Sequence, residues 1–313
     1  MRRSLSVAML ALAGLIPLTA NAATLSIDTP KTSYGRGDTF IATVRLDNDN
    51  ECVNAAQVEI DYPTNLLRAV DFSRGDSIFS LWVGDPQIDT EKGTVTFSGG
   101  VPGGYCGRIA GDPAQSNIIG KIVFTVVGND AENKAAVNLA ASSRVYLHDG
   151  LGTPAPLNLK GVTLSLMPVP TQDSNPWLAQ VGDDATPPES FAVQVESTRD
   201  VFGGKYYAVF STVDKQSGLD HYEIFEDGVW NRVSSPHVLK DQTLNSGVMI
   251  RAIDKAGNIR LGDYDAKSVP PRQYSFAEMF SFYLLLGIAV LAIIIRLYFA
   301  RHAARENSAS PAS

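Results

Sequence analysis

Three acids alternate in the run Asp47-Asn48-Asp49-Asn50-Glu51. Hard carboxylate oxygens at that density can hold calcium. The run lacks the glycine and terminal glutamate spacing of an EF-hand loop. Asp and Asn are favoured in turns, so a polar hairpin loop is the simpler reading, with a calcium site at Asp47, Asp49 and Glu51 as the alternative. Glu59 and Asp61 alternate along Ala56–Tyr62, which points both side chains the same way on a strand. Paired carboxylates are the apparatus of glycoside hydrolysis. Here Val58, Ile60 and Tyr62 take the opposite parity, and a solvated face on a half-buried strand accounts for the acids. His148, His221 and His237 stand far apart in sequence, without the spacing of metal ligands, and His302 lies near the C-terminus. No nucleophile elbow, phosphate loop or Cys–His signature is present. The chain is therefore expected to be non-enzymatic and to need no cofactor.

Two cysteines, Cys52 and Cys106, complete the set of reactive side chains. Their interpretation depends on the compartment, and the termini speak to that. Met1-Arg2-Arg3 is a basic start, Leu5 to Leu18 is apolar, and Ala20-Asn21-Ala22 is a small-x-small cleavage pattern, so residues 1–22 read as an export signal. Met279 to Ile295 carries no charge, and the apolar run continues to Ala300 past Arg296. About 20 residues at about 1.5 Å each cross a hydrocarbon core. Arg296, Arg301 and Arg305 follow or end the run, and basic residues mark the cytoplasmic side. These features predict a single-pass membrane protein with its N-terminus outside, in the periplasm or at the cell surface, a span at 279–300 and a cytoplasmic tail at 301–313. In an oxidising compartment the default for two cysteines is one disulfide, Cys52–Cys106. The net charge of −7 argues against nucleic acid or another polyanion as ligand.

The elements that must position these residues are short strands. Thr24–Asp28, Thr39–Leu46, Ala56–Tyr62, Thr94–Ser98, Ile118–Val127, Ala136–Ala141 and Val162–Leu166 show apolar alternation or β-branched enrichment, separated by Gly- and Asp/Asn-rich turns. This pattern predicts an antiparallel sandwich over 23–166. Residues 167–190 hold Pro168, Pro170, Pro176, Pro187 and Pro188 among polar residues and read as a semi-extended linker. Strand-like runs resume at Phe191–Glu196, Tyr206–Thr212, His221–Phe225, Gly247–Asp254 and Asn258–Leu261, giving a second small module over 191–264 and a stalk over 265–278. On the first module, Gln57, Glu59, Thr94, Thr96 and Ser98 take the outward parity opposite Val58, Ile60, Val95 and Phe97, and belong to any partner-binding face.

Residues 24–166 resemble a cohesin domain, the sandwich module that receives dockerin in cellulosome assemblies. The carrying stretches are Tyr34-Gly35-Arg36-Gly37-Asp38-Thr39-Phe40 followed by Val44-Arg45-Leu46, then Tyr62-Pro63 with Asn65-Leu66-Leu67 after the strand from Ala56, and Ile119-Gly120-Lys121-Ile122-Val123-Phe124. Cellulosomal cohesins carry Asn-x-Asp entering that strand and use it on dockerin. This chain reads Asn54-Ala55-Ala56, which adds Asn54 to the expected face. Residues 191–264 resemble bacterial Ig-like or fibronectin-like modules through Asp214–Ile224 and Ile250–Asn258. The resemblance implies an all-β protein of two antiparallel sandwiches, a cohesin-like jelly roll and an Ig-like module, to which the apolar run at 279–300 adds one expected C-terminal transmembrane helix. It implies a non-catalytic scaffold that binds a protein partner, a dockerin or another envelope protein, in connection with polysaccharide degradation. The alternative is a carbohydrate-binding module, for which Phe79, Trp82 and Tyr105 are the candidate aromatics.

Overall fold

The computed structural model describes residues 22–107, 117–128, 133–264 and 276–308, with side chains of the last segment described at 280–296. The export signal at 1–21, the stalk residues 265–275 and the last residues of the tail, 309–313, lie outside the described residues.

Among the described residues, thirteen strands precede the proline-rich segment: β1 (Ala23–Asp28), β2 (Ser33–Gly35), β3 (Thr39–Asp47), β4 (Val53–Asp61), β5 (Leu67–Ser73), β6 (Leu81–Trp82), β7 (Gln87–Asp89), β8 (Thr94–Tyr105), β9 (Ile118–Val126), β10 (Lys134–Leu139), β11 (Arg144–Leu147), β12 (Leu157–Lys160) and β13 (Val162–Met167). They form a five-stranded sheet in the order β12-β1-β3-β9-β5 and a larger sheet in the order β2-β13-β10-β4-β8-β6, with β11 also on β4 and β7 also on β8. The expected antiparallel arrangement holds through the middle of both sheets. At their ends β12 runs parallel to β1 and β2 parallel to β13. These parallel pairs join strands far apart in sequence, which local patterning cannot reveal.

Alternation builds the core. On β4, Val58 and Ile60 are fully buried while Gln57 and Asp61 are exposed; on β8, Val95 and Phe97 are buried while Thr94, Thr96 and Ser98 are half-exposed. Leu25, Phe40, Val44, Ile122, Phe124 and Leu164 belong to the same apolar cluster. Burying side chains of this size is worth about 1.5–3 kcal/mol each, which is the main force holding the strands in register.

The segment read as an extended linker is instead partly helical and tied down. Helix α1 (Pro176–Gly182) starts at Asn175, whose side-chain oxygen accepts from the Trp177 and Leu178 amides. Proline at the first helical position is pre-set for such a start. Trp177 is buried and its indole donates to Asp71 at 3.1 Å. Upstream, the Asp38 carboxylate accepts from the amides of Gly35, Thr171 and Gln172 and from the Thr171 hydroxyl.

The second strand series comprises β14 (Ala192–Glu196), β15 (Tyr207–Phe210), β16 (Leu219–Glu226), β17 (Val229–Val233), β18 (His237–Val238), β19 (Ile250–Asp254), β20 (Ile259–Leu261) and β21 (Asp263–Tyr264), in two four-stranded sheets, β18-β15-β14-β21 and β17-β16-β19-β20. The chain divides into two compact units, one of Met1–Ser190, Ser211–Glu223 and Arg251–Leu261, the other of Phe191–Phe210, Ile224–Ile250 and Gly262–Ser313. The division thus runs through the second strand series. Helix α2 (Phe276–Ser308) follows, with residues 280–296 exposed along their whole length. Those residues cover about 26 Å at about 1.5 Å each. Among the described residues no helix is long and apolar enough to cross a membrane.

Candidate functional site: the outer face of β4 and β8

The face is built as three rungs across neighbouring strands. Arg144 on β11 pairs with Gln57 on β4, which pairs with Ser98 on β8. Glu59 pairs with Thr96, which pairs with Gln87 on β7, and Asp61 pairs with Thr94, which pairs with Asp89. Side chains on one face of paired strands stand about 4.5–5.5 Å apart across a rung, so these residues form a continuous polar surface. Gln57, Glu59, Thr94, Thr96 and Ser98 lie together as their parity predicts. Arg144, Gln87 and Asp89 join them through pairings between strands of three to twelve residues, which sequence reasoning did not find.

Glu59 sits where β4 changes partner from β10 to β11. The turn between those strands bonds it on three sides: Ala140 donates its amide to the Glu59 carbonyl, the Glu59 amide donates to Ser143 Oγ, and Ser142 Oγ donates to Glu59 Oε2 at 2.6 Å. The carboxylate is held against the sheet rather than across a cleft from Asp61. Glu59, Thr96, Ser98, Gln87, Ser142 and Asp85 line a shallow groove. One wall is fixed by Arg74, which lies 4.9 Å over the Trp82 ring and donates to Asp85 at 2.7 Å. Val83 and Leu81, beside this wall, are 74% and 51% exposed.

One end of the face is shaped by a bulge and a cross-link. The register of β4 on β8 shifts between Val53 and Ala55: Asn54 alone spans on β4 what residues 101–104 span on β8, so the extra residues of this irregularity belong to β8. Asn54 is half-buried there, beside rather than on the three rungs. Opposite lie Gly99 and Gly100. A Cβ on Gly99 would stand 2.5 Å from the Phe79 ring, and one on Gly100 2.7 Å from the Asn54 carbonyl. Beyond the bulge Val53 pairs with Tyr105, and the next residues outward, Cys52 and Cys106, form the expected disulfide with Cα atoms 4.3 Å apart.

The other candidates are not brought to this face. Asp47, Asp49 and Glu51 are exposed; the Asp49 amide bonds the Asp47 carboxylate, and Asn48 Nδ2 donates to the Glu51 carbonyl. That is the geometry of a polar turn. Among the described residues, acids with ligand oxygens within 4.8 Å of one another occur instead at Asp184, Asp214 and Asp254. Of the aromatics, Phe79 and Tyr105 are buried, and half-buried Trp82 packs against Phe72, Phe79 and Phe97. They do not form an exposed strip. His221 bonds Asp220 and Glu223, and His237 bonds Glu226, so each ring is engaged by neighbouring carboxylates.

No family model matches the chain, and no curated protein matches it. Solved cohesin modules do match. The chain is similar to a non-cellulosomal cohesin from the hyperthermophilic archaeon Archaeoglobus fulgidus, at 15% identity and TM-score 0.36, over 47% of this chain and 91% of that one. It is similar to the cohesin module of a family 33 glycoside hydrolase from Clostridium perfringens, at 13% identity and TM-score 0.33, over 47% and 97% of the two chains. It is also similar to the sixth cohesin of scaffoldin B from Acetivibrio cellulolyticus, solved in complex with a dockerin, at 15% identity and TM-score 0.35, over 46% and 99%.

Proposed function

We propose that this protein is a non-enzymatic envelope scaffold whose first sandwich binds a protein partner through the outer face of β4 and β8. The observation that carries the reading is the character of that face. Three polar rungs, Arg144–Gln57–Ser98, Glu59–Thr96–Gln87 and Asp61–Thr94–Asp89, lie beside exposed Val83 and Leu81. Protein interfaces combine an apolar patch with hydrogen-bonding polar groups at about this mixture. A flat polysaccharide site needs exposed aromatic rings, and the rings nearest this face are packed into the core. The cohesin-like sequence stretches favour a dockerin or another exported protein as the partner, with a role in polysaccharide degradation. The apolar run 279–300 and the arginines at its end favour a single-pass anchor with the head outside the cytoplasm.

The test uses the full chain in detergent micelles, immobilised and offered exported proteins from the same cells and, separately, insoluble polysaccharides. A discrete protein should be retained by the wild type, and its retention should fall about tenfold when Gln57, Thr96 and Ser98 are changed together to alanine, the loss of about 1.4 kcal/mol expected from a few interface hydrogen bonds. The melting temperature should change little, because these side chains are not in the core. Retention of polysaccharide alone, or protein capture indifferent to the triple substitution, would refute the reading.

A further inference from the structure

A cleft on the first sandwich lies apart from the β4–β8 face. It opens on the outward side of β3, where half-buried Ile41 alternates with buried Phe40 and Ala42. Pro30 and Lys31, from the loop between β1 and β2, complete the lining together with residues 171–174 and Pro176 of the proline-rich segment. The volume is ≈ 450 Å³, within the range of about 300–1,000 Å³ that small-molecule sites occupy. Two opposite charges line this space. Among the described residues, neither the Lys31 ammonium nor the Asp173 carboxylate makes an ion pair or a hydrogen bond.

The backbone that carries these two charges is nevertheless fixed. The Lys31 amide donates to the Tyr34 hydroxyl at 3.1 Å, and Tyr34 is buried with its ring stacked on Phe40 at 4.3 Å. Beside Asp173, the Gln172 amide donates to Asp38 Oδ1 at 3.2 Å and the Thr171 amide to the same oxygen at 2.9 Å. Both segments are held in place while their charged heads stay unpaired, and a site held in this way loses little freedom when a ligand arrives. A third polar group is also unsatisfied. Gln172 Oε1 is buried without a hydrogen-bond partner, a costly state until a donor reaches it.

The lining asks for a small molecule with an anionic end for Lys31, a cationic N–H donor for Asp173 and Gln172, and an apolar body for Ile41, Pro30 and Pro176. We propose that this cleft binds a free α-amino acid with an apolar side chain, taken as its zwitterion. The ligand carboxylate pairs with Lys31. Its ammonium donates to Asp173 and, after a small turn of the Gln172 side chain, to Gln172 Oε1, in charge-assisted hydrogen bonds. Its side chain rests on Ile41 and the two prolines. A neutral sugar would leave both charges unpaired, and the interior of a peptide carries neither charge on its backbone. Because the lining comes from three separate stretches of chain, a bound amino acid also ties residues 171–176 to β3 and to the β1–β2 loop.

The test is calorimetric titration of the full chain in micelles at pH 7 with L-leucine, L-valine and L-phenylalanine, together with melting curves. At least one of the three should bind at a single site with Kd below about 1 mM and raise the melting temperature. The N-acetyl form of that amino acid, which lacks the ammonium, and its amide, which lacks the carboxylate, should each bind at least about tenfold more weakly. K31M should weaken the amino acid about tenfold yet leave the amide unaffected. D173N should weaken the amino acid about tenfold yet leave the N-acetyl form unaffected. Q172M, close in size and lacking the amide oxygen, should weaken the amino acid by a smaller factor. Without ligand, K31M and D173N should melt with the wild type, because both side chains are exposed. Changing Gln57, Thr96 and Ser98 to alanine should leave amino-acid binding intact, which separates this site from the β4–β8 face. The absence of both binding heat and a melting shift up to about 10 mM of all three amino acids, ten times the weakest expected Kd, would overturn the proposal. So would binding that K31M and D173N leave unchanged.

Discussion

Replacing Cys52 and Cys106 by alanine together should cost the first sandwich about 3 kcal/mol. The bond closes a loop with a sequence separation of 54 residues. In the chain-entropy treatment a loop of that length restricts the unfolded chain by about 4 kcal/mol at 25 °C. The native side changes little, since Val53 and Tyr105 remain paired on β4 and β8 next to the substitution. Residual structure in the unfolded chain lowers the full value, which places the expected loss at about 2–4 kcal/mol. Urea unfolding measures it. Of the three tryptophans, Trp82 and Trp177 lie in the first compact unit, and a W230F background confines the signal to them. With m of about 2 kcal/mol/M the midpoint should fall by about 1–2 M, and m should rise because the unlinked chain expands further. A reducing agent added to the wild type should reproduce the shift. A loss under about 1 kcal/mol with unchanged m would refute the reasoning, because the cross-link would then not be restricting the unfolded chain.

Two further perturbations test other parts of the fold. D38A strands three amides and a hydroxyl from Gly35, Thr171 and Gln172, the first buried and the others part-buried, and should destabilise by about 3 kcal/mol at pH 7. Burial alone would raise the Asp38 carboxyl, yet its hydrogen bonds from Thr171, Gly35 and Gln172 hold it below the usual carboxylate range. Its folded value is therefore lower than its unfolded one. The deficit in D38A should be full above about pH 4 and shrink as the pH falls through that folded value; a pH-independent deficit would contradict the assignment. G99A drives a methyl to within 2.5 Å of the Phe79 ring and should cost about 1–3 kcal/mol in a thermal melt, whereas unchanged melting would show that Phe79 yields freely.

The parts of this fold that a sequence shows are those where one physical period runs undisturbed. Ala56–Asp61 of β4 and Thr94–Gly99 of β8 alternate cleanly between a buried and a solvated side, so Val58, Ile60, Val95 and Phe97 could be told from Gln57, Glu59, Thr96 and Ser98 by parity alone. β5 was not legible because its register on β9 shifts between Ala69 and Asp71, which breaks the alternation midway. β6 and β7, of two and three residues, are too short to show a period. Helix α1 did carry a signal, Asn175 before Pro176 at its start, but seven residues among prolines read more naturally as linker. The Asp184, Asp214 and Asp254 cluster has no sequence spacing to find. Each acid belongs to its own turn, and the loop between β15 and β16, the end of β19 and the exit of α1 meet only through tertiary packing.

The β4–β8 pair divides its labour by parity. Inward residues hold the sandwich together, and outward ones carry whatever recognition the face performs. The division frees the outward positions to vary at little cost to stability, since a surface polar change away from caps and buried networks is worth within about 0.5 kcal/mol. It does not extend to Glu59, whose backbone and carboxylate are tied to the 140–143 turn, nor to Gly99, which admits no side chain beside Phe79. The usable surface is therefore narrower than the outward parity suggests: Gln57, Thr96, Ser98 and Gln87 on the strands, with Arg144 and Val83 at the margins. Glu59 instead ties β4 to the turn between β10 and β11, beyond which Arg144 pairs with Gln57.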